Sequence, residues 1–186
     1  MSRLLVLDLA TITGWAHGPL TVLQPQCGRW ELPVRDPRDI LGARTAALDN
    51  TLAAALDVWS DVTVVGMAEP IPGRNQSDVA MLGALTGVVR AECWRRGIRV
   101  LVQPESTVRK EMLGRGSGRS EMMKALALAW CERHGIAVPD HNAADACVFF
   151  CWCRGELMRQ RAGIVDRGNN RGKAAQMTLP GLPSRS

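Results

Sequence analysis

Three carboxylates stand where carboxylates are costly. Leu4-Leu5-Val6-Leu7 is a short apolar run ending in Asp8, and Val62-Thr63-Val64-Val65-Gly66-Met67-Ala68 is a second ending in Glu69. Asp145 stands at the head of a third apolar stretch that continues to Cys153. Aspartate and glutamate are seldom buried without a partner. Each has an ordinary use by itself: Asp8 bonding turn amides, Glu69 pairing with Arg74, Asp145 favouring the positive end of a helix. Three at the ends of apolar elements point instead to a shared divalent-cation site, because a hard cation offsets the repulsion between gathered carboxylates. The cysteines offer no rival centre. Cys27, Cys93, Cys131, Cys147, Cys151 and Cys153 form no CxxC pair, and Cys131 with His134 supplies only two zinc ligands on one helix face. They read as reduced thiols packed as small hydrophobes.

The elements that must position the acids follow from periodicity. Residues 4–8 form a buried strand, Trp15-Ala16-His17 a returning strand after the turn at Thr11-Ile12-Thr13-Gly14, and Gly28-Arg29-Trp30-Glu31-Leu32 a third before Pro33. Asp39 caps a helix whose apolar positions run from Ile40 to Trp59. After the strand ending at Glu69, Pro70, Pro72 and Gly73 make a loop. Ser77 or Asp78 caps a helix that Gly97 stops. Arg99-Val100-Leu101-Val102 is a strand, and Ser106 caps a short helix to Leu113. Gly114-Arg115-Gly116-Ser117-Gly118-Arg119 is a basic loop, Ser120 opens the next helix, and Gly135 ends it. The last helix spans about residues 142–160. The order β-β-β-α-β-α-β-α-α-α predicts an α/β fold: a mixed five-stranded sheet with an antiparallel three-strand meander and helices on both faces. The six tryptophans fall in apolar patterns and are expected in the core.

With 186 residues, 46% hydrophobic and 22% charged, the chain has ordinary globular composition, which excludes disordered, collagenous and fibrous classes. No apolar run approaches the ~20 residues of a membrane span, and residues 1–8 carry an acid where a secretion signal needs apolar length. The expected setting is therefore cytoplasmic. Residues 1–153 hold 16 basic and 16 acidic residues, whereas residues 154–186 hold 7 and 2, so the net charge of +5 sits at the C-terminal end. A basic tail on a neutral body points to a polyanion such as nucleic acid; the plainer alternative is a solvated tail. The expected organisation is one domain over residues 1–160 and a basic, disordered tail over 161–186.

The ordered set of motifs resembles the RuvC-type Holliday junction resolvases of the ribonuclease H-like nucleases, over about residues 4–155. Leu7-Asp8-Leu9-Ala10-Thr11-Ile12-Thr13-Gly14-Trp15-Ala16 is similar to their first strand and hairpin, and Val64-Val65-Gly66-Met67-Ala68-Glu69 to their second catalytic strand. Asn75-Gln76 and Leu82-Gly83-Ala84-Leu85-Thr86-Gly87-Val88-Val89 resemble their long dimer helix. Val108-Arg109-Lys110 with Leu113-Gly114-Arg115-Gly116-Ser117-Gly118 resembles their basic junction-contacting segment, and His141-Asn142-Ala143-Ala144-Asp145-Ala146 the motif opening their final helix.

The resemblance implies that Asp8, Glu69 and Asp145 hold two Mg²⁺ ions, which Mn²⁺ can replace, for in-line hydrolysis of a phosphodiester without a protein nucleophile. The family's fourth ligand falls on Asn142. His141, one residue earlier, also shares a helix face with Asp145, so both stay candidates, with capping the ordinary role for Asn142. Arg74, Arg109, Lys110, Arg115, Arg119 and Lys124 are the candidate DNA-contacting cations; a solvated charged face is their ordinary reading. The loop after Glu69 lacks the aromatic residue usual in bacterial relatives, which leaves Ile71 as an apolar wedge and points to a phage-like variant that cuts other branched DNA. Gly83, Ala84 and Gly87 give the long helix a small-residue face for a homodimer, matched to a junction's two symmetric cuts; packing on the sheet is the alternative. Neither a membrane nor a nucleotide cofactor is expected. Two competing readings are a structure-specific DNA-binding protein impaired in catalysis by Asn142, and an actin-like-fold ATPase, which needs more chain than is present.

Overall fold

The computed structural model describes residues 2–69 and 76–163. Arg74 and Ile71, in the loop after Glu69, and the tail beyond Gly163 lie outside the described residues. Three antiparallel strands come first: β1 (Arg3–Asp8), β2 (Ile12–Pro19) and β3 (Gln26–Glu31). Then follow α1 (Ile40–Val58), β4 (Val62–Ala68), α2 (Gln76–Arg95), β5 (Arg99–Gln103), α3 (Glu105–Leu113), α4 (Ser120–Arg133) and α5 (His141–Arg161). The sheet order is β3-β2-β1-β4-β5, with β4 and β5 parallel to β1. Element order and fold class are those expected.

Alternation along β1 explains why the sheet is covered twice. Leu4 and Val6 point into one core with α3, α4 and α5, while Leu5 and Leu7 point into another with α1 and α2. All four are essentially inaccessible, as a run buried on both faces requires. On the first face α5 meets the sheet through Ala143, Ala146, Cys147, Phe150 and Cys153, mostly small side chains that admit close approach. Gly14 marks the tightest point: a Cβ there would stand 2.0 Å from the Asn142 carbonyl oxygen, so any side chain would push α5 off β2. On the second face Leu48, Leu52 and Leu56 of α1 meet Leu85, Val89 and Cys93 of α2. Buried Glu92 clamps the pair, bonding Arg95 and Arg96, which reach Asp49 and Asp57 of α1 at 2.8 and 2.7 Å.

Local chemistry moves some expected boundaries. The second strand begins at Ile12, because the Thr13 hydroxyl donates to the Ala10 carbonyl (2.8 Å) and closes a shorter turn. Asp39 caps α1 as expected, accepting from Leu41 N–H at 3.0 Å. Pro104, not Ser106, precedes α3, which ends at Gly114 in the left-handed conformation (φ 75°) that favours glycine. Asn142 does not cap α5. Asp140 does, accepting from Ala143 N–H at 2.9 Å. Trp130 and Trp152 are buried and Trp15, Trp30 and Trp59 cluster, but Trp94 is 87% exposed, against the expectation of a core position. Among the described residues no helix is long and apolar enough to cross a membrane. All six cysteines are free thiols.

Candidate active site

The parallel pairing of β1 with β4 sets Leu7 opposite Met67, so Asp8 and Glu69 leave the same end of adjacent strands. The crevice beyond the carboxyl ends of parallel strands is where α/β sheets place their ligand sites. Here it is a cleft of about 270 Å³ lined by Asp8, Glu69, Asp78, Met81, Thr86, Glu105 and Arg109, among others. A narrower recess adjoining it is lined by Asp8, Glu105, Arg109 and Asp145, among others. Asp8 therefore belongs to both, meeting Glu69 in the cleft and Asp145 in the recess.

The ordinary uses of two acids are taken by other groups. The turn after β1 is served by Thr13, whose Oγ1 donates to the Ala10 carbonyl and accepts from Ala10 N–H at 3.5 Å. The α5 N-terminus is served by Asp140, which also pairs with Arg29 at 2.8 Å. Asp8 and Asp145 are left facing one another's field. Burial, then the charges of Asp145 and Glu105, raise the Asp8 carboxyl to about 7, with Arg109 opposing. Burial also raises Asp145, again against the pull of Arg109. A half-buried carboxylate pair with one shared guanidinium is short of positive charge, the condition that a bound cation relieves.

Arg109 lies deeper than a surface phosphate contact. Its Nη2 donates to Glu105 Oε1 one turn back (2.5 Å) and lies 3.5 Å from Asp145 Oδ2, while its Nε is buried without a partner. Lys110, Arg115 and Arg119 are exposed on the same segment. Lys124 pairs with Glu121 at 3.2 Å. Gly116 folds the loop onto α3, since a Cβ there would stand 2.8 Å from the Ser106 carbonyl oxygen. Of the two fourth-ligand candidates, His141 acts electrostatically on Asp145, whereas the Asn142 side chain donates to Asp140 at 3.4 Å.

Glu105 and Asp78 escaped the sequence reading. Glu105 had a legible signal: it follows strand β5 by two residues, as Asp8 and Glu69 close theirs, and stands four residues before Arg109. Asp78 was legible only as a helix cap.

The donors suit a hard cation, being carboxylate oxygens with Asp8 destabilised in its charged form. The side chains as they stand do not wrap one: among the described residues no three His, Cys, Asp or Glu groups form an ion-holding set.

Comparison with known proteins bears on the fold. Neither a protein-family model nor a curated protein sequence matches the chain. Solved structures do. Thermus thermophilus RuvC has a TM-score of 0.58 at 15% identity, covering 84% of this chain and 96% of that one. T. thermophilus RuvC in complex with a Holliday junction substrate has 0.63 at 14%, covering 84% and 95%. The yeast mitochondrial Holliday junction resolvase has 0.56 at 14%, covering 86% and 82%. The chain is thus similar to these proteins in fold, the ribonuclease H-like arrangement expected, at low sequence identity.

Proposed function

We propose that this protein is a divalent-metal-dependent endonuclease that nicks four-way junctions and other branched DNA. The observation that carries the reading is the recess where β1 and α5 bring Asp8 and Asp145 together, with Glu69 across the adjoining cleft. It lies in a fold shared with solved junction resolvases, one of them holding a Holliday junction substrate.

Asp8, Glu69 and Asp145 would hold Mg²⁺, or Mn²⁺ in its place, with His141 the better placed fourth candidate. The metal, when bound, supplies an activated water and charge stabilisation at the leaving oxygen. The chain supplies the rest. Burial raises both Asp8 and Asp145 against the pull of Arg109, so a bound cation would favour their charged forms. Glu105, one turn earlier on α3, holds the Arg109 guanidinium at the cleft wall, where it would meet a DNA phosphate. Lys110, Arg115 and Arg119, exposed on the same segment, add sequence-independent phosphate contacts.

A homodimer through α2 belongs to the same reading. Leu85, Val89 and Cys93 pack inward, so the helix does lie on the protein body. On its other side nothing stands within 4 Å of a Cβ built at Gly83 or Gly87, and Trp94 projects into solvent. A small-residue face ending in an exposed tryptophan suits a second copy of the same helix.

The second reading, a junction-binding protein without cleavage, draws on Arg109, which already occupies the acidic recess. One experiment separates them: incubation with labelled four-way junction, fork, flap and linear duplex, with Mg²⁺ or with chelator. Metal-dependent nicks confined to the branched substrates are expected. Tight junction binding with no nick at any metal concentration would overturn the nuclease in favour of the binder.

A further inference from the structure

The parallel strands β1, β4 and β5 each deliver an acid at the same end. Asp8 closes β1 and Glu69 follows β4, whose pairing with β5 sets Ala68 opposite Gln103. Glu69 N–H donates to the Gln103 carbonyl at 2.8 Å, which carries that pairing one residue further. Pro104 follows, and Glu105 opens α3. Glu105 lines the cleft beside Asp8 and Glu69, and it lines the recess beside Asp8 and Asp145. It shares that double placement with Asp8.

A cationic group already stands between Glu105 and Asp145. Arg109 Nη2 lies 2.5 Å from Glu105 Oε1 and 3.5 Å from Asp145 Oδ2, so one charged nitrogen reaches oxygens of both acids. The fit is imperfect. Arg109 Nε is buried without a partner, and the contact to Asp145 is longer than a good charge-assisted hydrogen bond. Contacts to a guanidinium also span more than the ~2.1 Å of a Mg²⁺–oxygen bond. Arg109 therefore spaces the acids, in keeping with the lack of an ion-holding set among the described residues. Asn142, at the position that the resemblance gives to a fourth carboxylate, is neutral and spent on Asp140. The charge missing from α5 is present on α3.

We propose, building on the metal-dependent reading above, that Glu105 is a further carboxylate ligand of the divalent-cation site and Arg109 the placeholder that the cation displaces. In the metal-free protein Arg109 Nη2 balances Glu105 and Asp145. On loading, both acids exchange the guanidinium for a hard cation that carboxylate oxygens suit better. Arg109 also lines the cleft, so it stays within the site as a phosphate contact. Metal and Arg109 thus compete for the same two oxygens.

The test measures Mn²⁺ binding to the full-length protein, without DNA, from the electron paramagnetic resonance signal of the free ion. Glu105→Gln should raise the dissociation constant roughly tenfold or more, and Glu105→Asp should recover part of the loss. Arg109→Gln should bind Mn²⁺ more tightly than the wild type, since the competitor is gone. Adding Glu105→Gln to Arg109→Gln should weaken binding again by a similar factor, which a residue acting only through Arg109 would not do. The rise in thermal midpoint with Mg²⁺ should rank these proteins in the same order, with circular dichroism showing each to be folded. Wild-type Mn²⁺ affinity in Glu105→Gln, or no further loss when it is added to Arg109→Gln, would overturn the proposal and leave the nuclease standing. Mn²⁺ binding that depends on Glu105 without any nick in branched DNA would do the reverse, and a wild type that binds no Mn²⁺ would overturn both.

Discussion

Arg109 and Asp145 meet across 3.5 Å where α3 packs on α5, and their contact sits beside the half-buried carboxyl of Asp8. The guanidinium is shared with Glu105, so three acids draw on one cation. That imbalance governs how the site should respond to mutation, metal and pH.

Asp8→Asn should abolish nicking while junction binding stays intact or strengthens. The amide keeps the shape but removes a charge needed to hold metal, and it lessens repulsion of phosphate. Gel-shift and nicking assays on one junction check this. Wild-type turnover by the variant would refute the assignment, and Glu69→Gln and Asp145→Asn should follow the same pattern.

Arg109→Ala should destabilise the metal-free protein by roughly 1–3 kcal/mol, because the half-buried carboxylates lose their counter-charge. Added Mg²⁺ should raise the thermal midpoint of this variant more than that of the wild type. Arg109→Lys should recover part of the loss, having the charge without the planar fork. Equal Mg²⁺ responses in all three proteins would show that Arg109 and metal do not share a field.

His141→Ala should raise the Mg²⁺ needed for half-maximal nicking by about tenfold or more, the usual cost of disturbing a ligand or its support. Asn142→Ala should change it little, since that side chain is spent on Asp140. A metal titration of both variants decides. The reverse order would restore Asn142 as the fourth ligand.

His17 and Asp8 should oppose each other in the pH dependence of stability. His17 is 2% exposed, stacked on Trp59 at 4.3 Å, with neither ring nitrogen bonded. Burial, then the Arg3 charge, lowers its pKa from 6.5 to about 4. The unfolded chain takes up this proton first, so stability falls as pH drops from 6.5 to 4, by about 3 kcal/mol in all. Asp8, raised from 3.8 to about 7, acts in the other sense: the native state keeps its proton longer, and stability falls as pH rises over that span. Metal-free wild type should therefore lose less stability than Asp8→Asn as pH falls from 6.5 to 4. Adding His17→Phe to Asp8→Asn should lessen that acid loss. Thermal melts of the three proteins check the sign, and an acid-stable Asp8→Asn protein would contradict it.

Truncation after Gly163 should leave a folded protein with a shallower salt dependence of DNA binding. The segment removed carries Arg167, Arg171, Lys173 and Arg185 against Asp166. Bound phosphates release counterions in proportion to such contacts. Identical slopes for the two proteins would make this segment a bystander.

The order of elements was legible in the sequence because each long element repeats its signal. Leu4 to Leu7 are apolar on both faces of a strand, and α1 repeats its leucines at helical spacing, so no single residue decides the outcome. Strands that end in acids likewise made Asp8 and Glu69 stand out, and Asp145 stood out at the head of an apolar helix. Tertiary structure decided everything that depends on direction. Asn142 is one residue from His141 in sequence, yet its side chain is spent on Asp140, a pairing set by how the start of α5 docks. Arg109 reads as a surface cation because charge alone does not reveal which face of α3 meets α5. Glu105 joins the acids for the same reason, and Trp94 faces solvent because α2 has its sheet-side positions filled already. Periodicity is a property of neighbours along the chain and survives in the sequence; the meeting of β1, α3 and α5 is a property of packing between distant segments, and no local pattern encodes it.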